Sequence, residues 1–198
     1  MKSARAILFA AVAAALPSPV PNGNGLQGTP ENPLKFSAQA LRSASPIHYA
    51  TVNAHGKAFW IGKDAKTYNP LDNNTCTVDT NTTTFSYING QGQVSLSTQV
   101  PGGQQIYVKD DGQLRFTGPH SVATDGNATF TGFGIAYDAK LQFENSDWLA
   151  CLGGSISPAN FQIYAASRVP VDRIPEDCLS FIWHDVYNQN ATAAWQYE

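Results

Sequence analysis

Three cysteines, Cys76, Cys151 and Cys178, are the residues whose chemistry depends most on where the chain resides. In an oxidising compartment two of them pair and one is left over. Three pairings are possible. Sequence context favours Cys151 with Cys178, because Cys151 ends the apolar run DWLAC and Cys178 opens DCLSFIW. Closing that loop of about 27 residues contributes roughly 3.5 kcal/mol in the chain-entropy description. Cys76 lies in a polar loop between two N-x-S/T sequons and is expected to stay free, as a stray thiol or as a link to a second chain. The sequons stand at Asn73, Asn81, Asn127 and Asn190. In an exported eukaryotic chain they are N-glycan attachment points on exposed loops.

Other candidate chemistry is thin. His48, His55, His120 and His184 show no H-x-x-x-H spacing and the cysteines no C-x-x-C spacing, so neither a metal site nor a cofactor is expected. The stretch GGSIS at 153–157 superficially resembles a nucleophile elbow, but Ser157 stands where the last glycine belongs. TGFGIAY has the first two glycines of a dinucleotide fingerprint and lacks the third. Asp64, Asp138, Glu144, Asp147 and Asp185 lie nearest the aromatic runs and are the acids that a glycosidase pair would draw on. Most acids of the chain sit in turns, where solvation is their ordinary fate. Trp60, Trp148, Trp183 and Trp195 could stack on sugar rings if exposed, or fill a core.

The chain that must position these residues begins with an address. Lys2 and Arg5 precede an apolar stretch, residues 6–16 (AILFAAVAAAL), followed by small residues and prolines. A spanning helix needs about 20 apolar residues, so this run reads as a secretory signal within residues 1–20. Residues 21–38 are expected to form a disordered lead-in, because the Pro, Gly and Asn of 17–33 leave almost nothing to bury. The rest, 39–198, reads as one domain, large enough to bury about two-thirds of its unfolded surface. Charged residues make up 14% against a typical value of about 25%. Without Lys2 and Arg5 the chain carries a formal charge near −5 and no basic stripe, so nucleic acid is not an expected partner. The ending AAWQYE has no apolar tail, and no membrane anchor is expected.

Period-two alternation dominates beyond the lead-in. The inward candidates are Ile47, Tyr49 and Thr51 in PIHYATV, then the pairs Phe59 and Ile61, Phe85 and Tyr87, Val94 and Leu96. Ile106 and Val108, Leu114 and Phe116, Leu141 and Phe143, Phe161 and Ile163, and Phe181 and Trp183 continue it. Short alternating runs between turn clusters predict antiparallel strands in an all-β, single-domain sandwich or barrel. FSAQALRS reads as a short helical turn at most. The best hairpin candidate is QQIYVKDDGQLRFT, with Asp111-Gly112 as a tight primed turn. Recurring turn-then-strand echoes at irregular spacing leave a β-trefoil-like barrel as the alternative.

Several segments taken together resemble a known family. They are SASPIH at 43–48, NAHGKAFWIGK at 53–63, VPGGQQIYV at 100–108 and the following DGQLRF. WLAC at 148–151, DC at 177–178 and the terminal AAWQY complete the set. They resemble the PhiA-type (phialide-development) secreted fungal cell wall proteins, a family that includes IgE-binding mould proteins. The resemblance implies a non-catalytic extracellular wall glycoprotein with a structural or developmental role in asexual sporulation, with wall polysaccharide or wall proteins as partners. It supplies no active site. It also implies a second cysteine near the position of Asn69, so that Cys76 has lost its partner. The alternatives are a lectin-like carbohydrate-binding module and a small secreted glycoside hydrolase.

The h-region ends at Leu16 and turn residues follow, so secreted material should begin between about residues 16 and 24. N-terminal sequencing of the culture-fluid protein checks this. A chain starting at Met1 would remove the basis for the export reading.

Overall fold

The computed structural model describes residues 27–70, 81–156 and 158–198. The expected signal segment, residues 1–20, and Asn73 and Cys76 lie outside them. The described chain is all β, with two single-turn 3₁₀ helices at Ala166–Arg168 and Val171–Arg173. Its strands are β1 (Leu34–Leu41), β2 (Val52–His55), β3 (Ala58–Ile61), β4 (Thr67–Tyr68), β5 (Phe85–Tyr87), β6 (Val94–Leu96), β7 (Gln104–Lys109) and β8 (Leu114–Phe116). There follow β9 (Ala128–Thr129), β10 (Phe133–Ala136), β11 (Lys140–Phe143), β12 (Trp148–Ile156), β13 (Ala159–Ala165), β14 (Leu179–Tyr187) and β15 (Gln196–Tyr197).

Nine strands close into an antiparallel barrel in the order β1-β5-β6-β7-β8-β3-β13-β12-β14, and β14 returns to β1. The closing seam is long: six residue pairs run from Phe36 opposite Tyr187 to Leu41 opposite Ile182. Strands β11 and β10 extend the sheet beyond β14, β2 pairs with β3, and β9 with β7. The expected sandwich or barrel is thus a barrel. Closure leaves none of the nine barrel strands as the open edge that an unclosed sheet would carry.

Alternation carries the core. From β3 to β14 both members of each expected pair face inward and are buried. Phe116, Phe59, Phe85, Trp183 and Trp148 form a run of rings with successive centroids 5.1–5.6 Å apart. Such pairs add about 0.5–1.5 kcal/mol each beyond area burial. The Trp148 indole N–H donates to Leu141 O at 2.7 Å, so that ring is buried with its polar atom satisfied.

Four expectations change. FSAQALRS is not a helical turn: it lies in β1 and beyond, where Leu34, Phe36, Ala38 and Ala40 alternate inward. The lead-in therefore stops short of 38, and order begins earlier still. Gly28 is clamped on Asn89, donating to its Oδ1 at 2.6 Å and accepting from its N–H at 3.0 Å. PIHYATV is not a strand, because Tyr49 takes left-handed backbone angles and only Val52 onward joins β2. At Asp111-Gly112 only Gly112 has positive φ, in a wider turn closed by the Gly112 N–H to Lys109 O bond. The two-residue primed geometry falls instead at Gly56-Lys57, between β2 and β3, where both residues have positive φ.

One polar residue secures the chain's end. Gln104, 1% exposed, accepts from the Tyr197 N–H at 2.7 Å and donates to Tyr197 O and Thr117 O at 2.9 and 3.0 Å. It serves β15 as a partner strand would. Tyr197 is buried and accepts the Thr84 N–H on its hydroxyl. Gln104→Leu keeps the volume but leaves these backbone groups unpaired. It should lower unfolding stability by about 3 kcal/mol, read from the denaturant midpoint. A change within about 0.5 kcal/mol would show that β15 does not depend on it.

Candidate functional site

An open groove of about 660 Å³ lies on the outer face of the β1–β14 seam. Inward alternation along both strands turns Gln39 and Leu41 of β1, and Ser180, Ile182 and His184 of β14, outward. The register sets Leu41 opposite Ile182, giving an apolar strip, and Gln39 opposite His184 beside it. Asp147, from the corner between β11 and β12, reaches the same groove.

Its remaining wall is the β1–β2 loop. Ser45-Pro46 opens a turn in which the His48 N–H donates to Ser45 O and the Tyr49 N–H to Ala40 O. Ile47, 1% exposed, pins this loop into the core. The side chain after it is held by the backbone: the Arg42 N–H donates to His48 Nδ1 at 3.1 Å. That bond makes Nδ1 the acceptor, so in the neutral ring the proton sits on Nε2. Arg42 in turn donates to Ser180 O and, at 2.8 Å, to Ser180 Oγ. The His48 and Tyr49 rings lie 3.9 Å apart. Tyr49 has φ 63° and is 63% exposed. A bulky side chain on left-handed backbone costs about 1–3 kcal/mol and persists only where its surroundings impose it.

The other candidates are dispersed. Cys151 and Cys178 are bonded, as the sequence suggests. The ladder pairs Trp148 with Phe181, Leu149 with Ser180 and Ala150 with Leu179, which sets the two cysteines opposite one another as the next step. Their Cα atoms are 4.0 Å apart, closer than the usual range of about 4.4–6.8 Å for a disulfide. Trp148 and Trp183 are core residues, and Trp60 and Trp195 are half-buried, so the four tryptophans form no exposed platform. The Trp60 indole donates to His55 O, and Lys63 Nζ sits 3.5 Å over its ring.

Among the acids, Asp64 and Asp138 are exposed. Glu144 is gripped by the Arg168 guanidinium, whose hydrogen bonds hold it below the ordinary carboxylate range. Asp147 accepts from Gln142 at 3.0 Å at the groove. Asp185 points into the barrel and is 2% exposed. Of the sequons, Asn81, Asn127 and Asn190 are on the surface, and Asn127 Nδ2 donates to Asp110 at 3.1 Å. No group of three or more metal-ligating side chains occurs among the described residues. Sequence reasoning missed Gln39, Arg42, Tyr49 and Ser180 as one site. The Ser45-Pro46 dipeptide, a turn signal at the start of an apparent strand, was the clue available.

This architecture and the motif set converge on one class, a small secreted β-barrel protein. A profile of the PhiA-like secreted protein family matches residues 36–198, and the chain belongs to that family. A secreted protein of unknown function from Arthroderma benhamiae is 31% identical over 158 residues, covering 74% of this chain and 76% of its own length. No solved structure matches the chain. No helix among the described residues is long and apolar enough to cross a membrane.

Asp185 generates the pH prediction. Burial pushes its carboxyl well above the usual range, and the Trp183 indole beside it opposes that shift without cancelling it. Neither carboxylate oxygen has a hydrogen-bond partner among the described residues. A carboxyl with a raised folded-state pKa binds its proton more tightly folded than unfolded. Its contribution is therefore greatest below the unfolded value, about 3.9, and declines as pH rises. Asp185→Asn should flatten this dependence, so that the variant's thermal midpoint gains on the parent's between about pH 4 and pH 8. A parent that gained on the variant over that range would contradict the burial.

Proposed function

We propose that this protein is a non-catalytic glycoprotein of the fungal cell wall with a structural role in asexual sporulation. The observation that carries the reading is the division of the molecule into a filled interior and an exterior that presents the sequon asparagines. The lumen is occupied by packed aromatic rings, which leaves no internal chamber for chemistry along that run. Sequon residues Asn81, Asn127 and Asn190 all lie outside, where glycans can project without disturbing the core. Membership of a secreted family and a disulfide between facing strands fit an extracellular life. The acids that a hydrolase would need are variously buried, locked to arginine or set on separate turns, which favours a non-catalytic protein over a glycosidase.

Fractionation of hyphae and conidia expressing a tagged copy tests this. The protein should be retained in the washed wall fraction, rise with conidiation, and lose apparent mass on enzymatic removal of N-glycans. Recovery wholly in the medium, or no mass shift, would overturn the wall or the glycoprotein part respectively.

A further inference from the structure

We infer that the seam groove is a binding site for an uncharged pyranose chain, the chemistry shared by β-glucan and chitin. The inference rests on the wall reading above and gives that reading a contact surface. The groove presents what such a chain offers in mirror image. A pyranose has C–H faces that pack on apolar or aromatic surface, and a rim of hydroxyls that donate and accept at once. The Leu41–Ile182 strip and the exposed Tyr49 ring supply the first kind of surface. Around them stand side chains that fork across neighbouring hydroxyls: the Gln39 amide, the Arg42 guanidinium, the Asp147 carboxylate and the His48 and His184 rings.

Charge selects the ligand class. Arg42 and Asp147 offset one another and the rest of the groove is formally neutral, so no single-sign field favours a polyanion or a polycation. Shape agrees with charge. A volume of 660 Å³ falls within the range of small-molecule sites, about 300–1,000 Å³, and the groove is open, as a segment of a longer chain requires.

The site is also built in advance. Arg42 is tied to Ser180 across the strands, its own N–H orients His48, and His48 lies against Tyr49. Ile47 beneath and the Tyr49 N–H to Ala40 O bond hold the ring on left-handed backbone. Contact with the His48 ring does not cover this large aromatic, and its exposure against backbone preference calls for a further partner. It is explained if the ring has a ligand, since a surface ordered beforehand loses less freedom on binding.

Backbone strain makes the test clean. Tyr49→Asn and Tyr49→Gly suit a positive φ, so both variants should fold at least as stably as the parent. Titration of the purified protein by NMR with soluble oligosaccharides of the β-glucan and chitin series should show saturable binding by one or both. Tyr49→Asn and Tyr49→Gly should weaken it by about tenfold, the effect of removing one aromatic anchor. Tyr68→Ala, which removes an exposed ring from β4, should bind as the parent does. The inference is overturned if neither series binds, if the Tyr49 variants bind as tightly as the parent, or if a sulfated polysaccharide binds more tightly than both. Wall retention with no saccharide binding would sink the groove and spare the wall reading. Tyr49-dependent binding by a protein absent from wall fractions would do the reverse.

Discussion

Pairing of β1 with β14 is the constraint on which the rest of the molecule depends. It joins the first strand of the barrel to the last and converts an open sheet into a ring. Residues far apart along the chain meet here, Phe36 with Tyr187 and Leu41 with Ile182, so the seam repays a large loop-closure entropy only once it is complete. The aromatic run depends on it as well, because Phe36 of β1 stacks on Phe85 at 5.5 Å and Phe85 meets Trp183 of β14. The disulfide lies at the far end of β14, where it ties β12 to the start of that strand. One covalent link and one long ladder therefore anchor β14 from both ends.

The same seam has two faces with different duties. Inside, Ala40 stands opposite Trp183 and Ala38 opposite Asp185. Small residues on β1 leave room for the large indole on β14, which is how facing layers reach native packing density. Outside, the alternate residues of the same two strands form the floor of the groove. A slip of β14 by one residue would exchange its faces, driving His184 inward and Trp183 into solvent. Core stability thus fixes the composition of the groove floor, and the floor needs no separate device to hold it.

Most of the barrel was legible in the sequence because period-two alternation is a local signal with a single physical cause. Phe59 and Ile61, or Phe181 and Trp183, are buried for the reason that their spacing announced. Legibility failed where tertiary contacts outvoted local pattern. Ile47, Tyr49 and Thr51 alternate like a strand, yet burial of Ile47 and the backbone bonds to Ala40 and Ser45 fold that stretch into a turn. FSAQALRS has the small residues of a helical turn, and alanine at 38 and 40 is there to accommodate Trp183 and Asp185, a requirement visible only once β14 is beside it. The disulfide could be read because strand edges and loop length are sequence properties. The groove could not, since its residues come from β1, the β1–β2 loop, the β11–β12 corner and β14, and only closure brings them together.

Two departures from ordinary protein chemistry lie on this seam. Tyr49 holds a bulky ring on left-handed backbone at the outer face, and Asp185 keeps an acid without a hydrogen-bond partner among the described residues at the inner face. Folded proteins are mostly consistent from local preference to global packing, so local violations are informative where they persist. The two differ in what would remove them. Asparagine or glycine at position 49 would relax the backbone, and asparagine at 185 would remove the ionisable group at nearly the same volume. Neither substitution requires the barrel to rearrange. Strain so easily relieved is not a necessary consequence of the fold. At Tyr49 the ring that bears the strain faces solvent beside hydrogen-bonding side chains, so a ligand is the direct account of it. Asp185 faces the aromatic core, out of reach of any external chain, and its effect falls on stability: the barrel is favoured in acid, where the carboxyl is protonated in both states, and gives up part of that advantage as the medium becomes neutral.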